Sequence, residues 1–217
     1  MPLACDAIIF DLDGVLVDSN GIAERHLRAW ADRHGVSFEH IASLHHGRTT
    51  VETIRLVAPQ LDAKIEAALL EGAEAVDTDG LVAFAGANQL LAGLPRERWA
   101  IATSGTRQTA TIRLSHVGLA LPNVLVTADD VAAGKPSPEP YLLAARRLGI
   151  DPTRCVVIED APAGIASARA AGARVIGVTS TNSADKLAGA DIVIGRLAAL
   201  QVTTDNGKLV VSWREAG

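Results

Sequence analysis

The segment Ala7–Gly14 (AIIFDLDG) is a short apolar run that ends abruptly in two acidic residues and a glycine. A continuous apolar run of this length is typical of a β-strand buried on both faces, as in the middle of a parallel sheet. Gly14 allows a sharp turn directly after such a strand. The segment therefore predicts a buried strand whose carboxyl end presents Asp11 and Asp13.

Similar apolar runs recur along the chain, and helical patterns with capping signals lie between them. The runs are Trp99–Thr103, Val124–Val126, Cys155–Ile158 and Val175–Val178. Strands that alternate with helices of this length indicate βαβ units. We therefore predict an α/β fold with a doubly wound parallel sheet. Near the end of the chain, Asn206 and Gly207 lie between two apolar runs, which predicts a β-hairpin at the sheet edge.

The segment after the first strand has a different residue pattern, in which apolar residues recur at helical spacing. Examples are Leu27, Trp30 and Ala31. Few β-branched runs occur there, so the pattern favours helices. We predict a helical insert over residues 18–81 and an α/β core formed by residues 1–17 and 82–217.

The composition of the 217 residues limits the partners of the protein. A net charge of −5 does not suit a sequence-blind nucleic-acid binder. No stretch reaches the roughly 20 apolar residues that span a bilayer, and the first residues do not resemble a signal peptide. Cys5 and Cys155 are too few for a disulfide framework. We expect a cytoplasmic monomer that binds neither nucleic acid nor a membrane.

Reactive side chains follow four of the predicted strands. They are Asp11, Asp13, Ser104, Lys135, Glu159 and Asp160, with Gly105 beside Ser104. Because the carboxyl ends of parallel strands meet at one edge of the sheet, we expect these residues to surround one site. Carboxylates this close would repel one another unless a divalent cation lay among them or their pKa values rose. Oxygen ligands alone indicate a hard cation, and we predict Mg²⁺.

This set of residues is well suited to phosphoryl transfer. Asp11 would attack phosphorus as the nucleophile. Asp13, two residues along the extended chain, would protonate the leaving oxygen and later accept a proton from water. Lys135 and Ser104 would contact the phosphate oxygens, and Gly105 would let the backbone approach them.

Four segments resemble, in order, the motifs of the haloacid dehalogenase-like (HAD) hydrolase superfamily. They are Asp11–Ser19 (DLDGVLVDS), Thr103–Gly105 (TSG), Gly134–Pro136 (GKP) and Val157–Gly164 (VIEDAPAG). The resemblance covers essentially the whole chain and implies a Rossmann-like core with a helical cap inserted after the first strand. It also implies that Asp11, Asp160 and the backbone carbonyl of Asp13 bind the metal, with Glu159 contacting it directly or through water.

A closer resemblance is to the sugar-phosphate, glycerol-phosphate and 2-deoxyglucose-6-phosphate phosphatases of that superfamily. It rests on His46–Thr50 (HGRTT), Leu94–Arg107 (LPRERWAIATSGTR) and Gly134–Leu142 (GKPSPEPYL). The implied substrate is a small phosphorylated sugar or polyol. Arg48 and Arg107 are further candidates for substrate binding.

Two alternatives remain open at this stage. A phosphomutase of the β-phosphoglucomutase kind shares the motifs, but in that resemblance a histidine stands where this chain has Ala23. A phospho-switch like a response-regulator receiver also uses acids, a hydroxyl and a lysine. Receivers carry the phosphoacceptor on a middle strand of the chain and have no large helical insert, so the phosphatase is our prediction.

Overall fold

A parallel sheet forms the centre of the computed structural model, which describes residues 2–45 and 49–214. Within those residues the sheet has six strands, in the spatial order β6 (Leu125–Val126), β5 (Trp99–Ala102), β2 (Ala7–Phe10), β7 (Cys155–Glu159), β8 (Arg174–Val178) and β9 (Ile192–Ile194). The helices that accompany it are α5 (Ala87–Ala92), α6 (Arg107–His116), α7 (Glu139–Leu148) and α8 (Pro162–Ala170). The predicted doubly wound α/β fold is confirmed.

Strand β2 occupies the middle of this sheet because its side chains are apolar on both faces. Ile8 and Phe10 point into one hydrophobic cluster, whereas Ala7 and Ile9 point into another on the opposite face. The strand pairs in parallel with β5 on one side and with β7 on the other. The strand order reverses at β2, and its carboxyl end therefore opens into the crevice where such sheets bind ligands.

Among the described residues, four helices lie between two short strands that pair with each other. The helices are α1 (Asn20–His34), α2 (Phe38–His45), α3 (Thr50–Val57) and α4 (Ala63–Val76). The flanking strands are β3 (Val17–Asp18) and β4 (Val82–Ala83), which run antiparallel. Leu27, Trp30 and Ile54 are among the buried residues of a separate apolar cluster inside these helices. The chain thus enters and leaves the helical insert at one two-stranded ribbon.

The hairpin near the end of the chain forms as predicted, but not at the edge of the parallel sheet. Strands β10 (Leu200–Asp205) and β11 (Lys208–Trp213) flank the Asn206–Gly207 turn. Strand β11 then pairs antiparallel with β1 (Leu3–Cys5), which gives a separate three-stranded sheet. The predicted location is therefore wrong, because the strand at β1 gives the hairpin a partner of its own.

Local signals mark the starts of two helices near the sheet's carboxyl edge. Thr106 caps α6 by accepting a hydrogen bond from the backbone of Thr109. Helix α7 begins at Glu139, directly after Pro138. No helix in the described part of the chain combines the length and the apolar character needed to cross a membrane.

Candidate active site

A cavity of about 620 Å³ lies between the carboxyl edge of the sheet and the helical insert. Its lining includes all of the strand-end residues singled out above: Asp11, Asp13, Ser104, Gly105, Lys135, Glu159 and Asp160. These residues come from four separate segments of the chain. The fold therefore brings the predicted site residues together around one space, with the insert as its opposite wall.

Lys135 joins two carboxylates at the floor of the cavity. Its Nζ atom lies 2.8 Å from Oδ1 of Asp11 and 2.7 Å from Oε1 of Glu159. All three side chains are almost completely buried. Burial alone would lower the pKa of Lys135, but the carboxylates of Asp11 and Glu159 raise it well above its usual value. The lysine is therefore a fixed positive charge beside the predicted nucleophile.

Glu159 already has hydrogen bonds on both carboxylate oxygens. Oε1 accepts from Lys135 and, at 2.8 Å, from the hydroxyl of Tyr141. Oε2 accepts from the backbone N–H groups of Asp160 and Ala161 at 2.9 and 3.0 Å. A carboxylate has about four acceptor positions, and here protein donors use them. Through these hydrogen bonds, Glu159 fixes the positions of Lys135 and of the loop after β7.

Asp11, Glu159 and Asp160 form a buried acidic cluster that suits a cation. Their ligand atoms lie within 4.8 Å of one another. Burial raises the pKa of Asp11 to about 7, although Lys135 opposes that rise. Burial and the charges of Glu159 and Asp11 raise the pKa of Asp160 well above its usual value. Such raised pKa values are expected where carboxylates face one another without enough positive charge, so the donor set fits a divalent oxygen-seeking ion.

The Asp160 side chain is held over the turn that follows β2. Thr181 donates a hydrogen bond to Oδ2 of Asp160, and Asn182 donates to its backbone carbonyl at 3.1 Å. Gly14 has a φ of +79°, and a Cβ there would lie 2.1 Å from Oδ2 of Asp160. Only glycine allows both this backbone conformation and this approach. The DLDG turn and the loop after β7 therefore pack directly against each other.

Asp13 contacts the start of the helical insert and the core helix α6. Its Oδ1 accepts hydrogen bonds from Ser19 Oγ at 2.6 Å and from Arg113 Nη1 at 2.5 Å. Ser19 immediately precedes α1, and Arg113 lies two turns into α6. The Asp13 side chain remains about 30% exposed and lines the cavity. The acid that we predicted for proton transfer thus faces the space where a substrate would bind.

The helical insert contributes polar and acidic side chains to the cavity wall. Glu71 and Glu74 lie on α4, and Thr50 begins α3. Burial raises the pKa of Glu74 to about 7, with Arg113 opposing the rise, and burial also raises the pKa of Glu71. Ala23, in the first turns of α1, lines the same wall. This wall therefore offers hydrogen-bond acceptors and a hydroxyl group to a molecule in the cavity.

Of the two arginines proposed for substrate binding, the structure describes only Arg107. Arg107 does not line the cavity; its guanidinium pairs with Asp130 at 2.6 Å and donates to the carbonyl of Leu125. The structure does not bring Arg107 to the site, because it lies on a side of α6 that faces the loop after β6. Arg48 lies outside the described residues.

The sequence analysis missed three residues that shape the site: Arg113, Glu74 and Tyr141. Each lies in a helix, away from the strand ends that we searched, and charged residues in helices usually face solvent. The spacing of Thr109 and Arg113 places two polar side chains on one face of α6, and the structure buries both. That spacing, together with the position of the helix directly after Ser104, was the available signal.

Comparison with known proteins gives consistent matches. A family profile described as haloacid dehalogenase-like hydrolase matches residues 5–172. Hexitol phosphatase A of Escherichia coli strain K12 is 41% identical over 218 residues, which cover 96% of this chain and 100% of that protein. Glycerol-1-phosphate phosphohydrolase 2 of Saccharomyces cerevisiae is 35% identical over 221 residues, covering 93% of this chain and 86% of that protein.

A solved structure agrees with the fold. The crystal structure of β-phosphoglucomutase from Clostridium difficile superposes with a TM-score of 0.77, covering 91% of this chain and 93% of the other. Its sequence identity is 24%, so the likeness concerns the architecture alone. The helical insert and the parallel sheet therefore occur together in an independently determined structure.

Proposed function

Because this chain belongs to the haloacid dehalogenase-like hydrolase family and is a phosphoric monoester hydrolase, we propose that it hydrolyses small phosphorylated sugars or polyols through an aspartyl-phosphate on Asp11. The observation that carries the mechanism is the contact of Lys135 with Asp11 at 2.8 Å, inside a cavity that Asp13 also lines. The pair supplies a fixed nucleophile and a positive charge where the phosphate would lie.

In the first step, a carboxylate oxygen of Asp11 attacks phosphorus and forms a new O–P bond. The bond between phosphorus and the ester oxygen breaks, and its electron pair stays on that oxygen. Asp13 donates a proton to the same oxygen, so the sugar or polyol leaves as a neutral alcohol. Lys135, Ser104 and the backbone at Gly105 hold the phosphate oxygens as charge builds on them.

In the second step, water attacks phosphorus on the aspartyl-phosphate. Asp13, now a carboxylate, accepts a proton from that water, and the bond between phosphorus and Asp11 breaks. The electron pair returns to the Asp11 carboxylate, and inorganic phosphate is released. Asp13 is again protonated, so the residue ends the cycle as it began.

The acidic cluster would hold Mg²⁺ through Asp11, Asp160 and the backbone carbonyl of Asp13, with Glu159 acting through water. A bound Mg²⁺ neutralises carboxylate charge and polarises a phosphate oxygen. Glu159 is assigned to the outer position because its oxygens are engaged by Lys135, Tyr141 and two backbone N–H groups. In this arrangement Glu159 keeps its contact with Lys135.

The proposed substrate class rests on the relatives and on the cavity wall. One relative is named for hexitol phosphates and another for glycerol 1-phosphate. Glu71, Glu74 and Thr50 offer this chain hydrogen-bond acceptors and a hydroxyl for the substrate's hydroxyl groups. In this proposal the helical insert is a cap that excludes bulk water during the first step and selects the leaving group.

A phosphomutase is less well supported. In the β-phosphoglucomutase resemblance, a histidine acts from the position that Ala23 holds here, and Ala23 lines the cavity with only a methyl group. Among the described residues that line the cavity, no histidine takes the place of that side chain. We therefore propose that water is the acceptor.

We propose a reducing compartment such as the cytoplasm as the site of action. Cys5 and Cys155 are both free and buried. Burial raises their pKa values to about 11 and about 12, so both thiols stay protonated and unreactive at neutral pH. Neither thiol takes part in the proposed chemistry.

The decisive experiment is a screen for phosphate release. Purified protein is incubated with hexitol, hexose, pentose and glycerol phosphates, with Mg²⁺ or with EDTA, and one arm uses a hexose 1-phosphate. We expect release of inorganic phosphate from sugar or polyol monophosphates with Mg²⁺ only. Isomerised hexose phosphate without free phosphate would instead establish a mutase, and no reaction with any ester would refute the proposal.

A further inference from the structure

We propose that Arg113 is a positioning residue that fixes the orientation of Asp13 for proton transfer. The inference rests on the proposed function and adds a residue that none of the sequence motifs contains. Arg113 lies in α6, nine residues after Ser104, and its side chain is only 7% exposed. A buried guanidinium remains charged and must be neutralised by nearby carboxylates.

The contacts of Asp13 fall on one oxygen only. Arg113 Nη1 and Ser19 Oγ both donate to Oδ1, at 2.5 and 2.6 Å. Within residues 2–45 and 49–214, no hydrogen bond reaches Oδ2. Because arginine can only donate, a proton carried by Asp13 belongs on Oδ2. Arg113 therefore turns Asp13 so that one oxygen is anchored and the other is free to exchange a proton with the substrate.

Arg113 is held from its other side by the helical insert. Its Nη2 atom lies 3.9 Å from Oε2 of Glu74 on α4. The arginine thus lies between an acid of the core and an acid of the insert. Its Nε–H is buried and has no hydrogen-bond partner among the described residues. An incompletely satisfied buried cation is unfavourable for stability, so the position is better explained by a role in the site.

The test separates leaving groups that need a proton from those that do not. A sugar alcohol leaves as a strongly basic alkoxide unless it is protonated, whereas p-nitrophenolate leaves readily without a proton. We compare R113M and R113K with the wild-type protein on a hexitol phosphate and on p-nitrophenyl phosphate. General acid catalysis contributes about 10²- to 10⁴-fold, so R113M should lose about 10²-fold or more in kcat/KM on the hexitol phosphate. Its kcat/KM on p-nitrophenyl phosphate should fall only a few-fold, because kcat/KM reports the first step alone, before Asp13 acts as the base toward water.

Two further measurements keep the result interpretable if R113M is unstable. R113K retains the charge and should recover part of the lost kcat/KM on the hexitol phosphate. Added guanidinium ions should partly restore the kcat/KM of R113G on the same substrate. R169M is the matched control, because Arg169 pairs with Asp191 at 2.9 Å on an exposed face of α8. Its kinetics should equal those of the wild-type protein on both substrates.

The outcomes distinguish this inference from the proposed function. Equal losses of kcat/KM on the two substrates would overturn it and give Arg113 a purely structural role. A rise in KM with unchanged kcat would also overturn it, since Arg113 would then bind substrate. If the wild-type protein hydrolyses neither ester, the proposed function fails as well; if it hydrolyses both and R113M matches it, only the role of Arg113 fails.

Discussion

Gly164 of helix α8 lies directly against the carboxylate of Glu159. A Cβ at Gly164 would be 1.6 Å from Oε1 and 2.5 Å from Oε2, far inside van der Waals contact. The absence of a side chain at this position is therefore what allows the Glu159 carboxylate to lie where it meets Lys135. The packing of one helix turn thus fixes the charge arrangement at the cavity floor.

The substitution G164A should destabilise the protein and impair catalysis. The added methyl group must displace Glu159 or shift α8, and overpacking of this kind costs about 1–3 kcal/mol. Urea denaturation gives the stability, and phosphate release gives the activity. G72A is the control, because Gly72 is exposed in α4 and a Cβ added there would have nothing within 4 Å. It should raise stability by about 0.5–1 kcal/mol. Wild-type activity in G164A would contradict the importance of this contact.

The substitution D11N should abolish turnover and preserve the fold. An amide of the same shape cannot form the aspartyl-phosphate, so we expect kcat to fall by at least about 10³-fold. Circular dichroism and thermal unfolding check the fold. D205N, in the exposed part of the hairpin, is the control and should be fully active. Substantial activity in D11N would exclude Asp11 as the nucleophile.

Removal of divalent metal should abolish the activity of the enzyme and lower its Tm. In the proposed site Mg²⁺ would offset repulsion among Asp11, Glu159 and Asp160, so millimolar Mg²⁺ should raise the Tm of the wild-type protein above its value in EDTA. D160N removes one ligand and should lose most of this Mg²⁺-dependent shift. Sodium chloride at equal ionic strength controls for screening. A Tm that does not respond to Mg²⁺ would argue against a metal at this cluster.

The substitution E74Q should stabilise the protein at high pH but not at low pH. Burial raises the pKa of Glu74 from 4.5 to about 7, while Arg113 opposes the rise and Glu71 and Asp13 add to it. When a carboxyl group binds its proton more tightly in the folded state, the protein loses stability as pH rises from the pKa of the group in the unfolded state to its pKa in the folded state. At about pH 8, the free energy of unfolding of E74Q should therefore exceed that of the wild-type protein by about 2 kcal/mol. At about pH 4, the two free energies of unfolding should be similar.

Urea denaturation at the two pH values measures this difference. E97Q is the control, since Glu97 is exposed in the loop before β5, and its stability should follow that of the wild-type protein at both pH values. Arg113 keeps Asp13 as a partner in E74Q, so the variant should remain folded. An E74Q protein that is less stable than the wild type near about pH 8 would mean that the Glu74–Arg113 pair is net stabilising.

The sequence was sufficient for the strands and for the residues at their ends. Buried parallel strands such as Ala7–Phe10 are continuously apolar, so an acid directly after them stands out, and the topology then requires such acids to meet. The same reasoning does not identify Arg113 or Glu74 as site residues. Their burial depends on how α4 packs against α6, and the contacts between those helices join residues far apart in the chain.

The location of the hairpin was missed for a similar reason. The Asn206–Gly207 turn is a local signal, and local signals predict which strands form. Which strand they pair with depends on a distant segment, here Leu3–Cys5, which is too short to stand out by its pattern. The role of Tyr141 likewise depends on the fold, which places its hydroxyl against the carboxylate of Glu159.

The ribbon formed by β3 and β4 has a consequence for how this architecture can diversify. Val17 pairs with Ala83 and Asp18 with Val82, so the departing and returning chains are joined where they meet the sheet. Whatever is inserted between those two strands, the acids after β2 and the loop after β5 keep their register. In the proposed function, evolution or design can therefore exchange the intervening helices, and with them the preferred ester, without rebuilding the reaction chemistry.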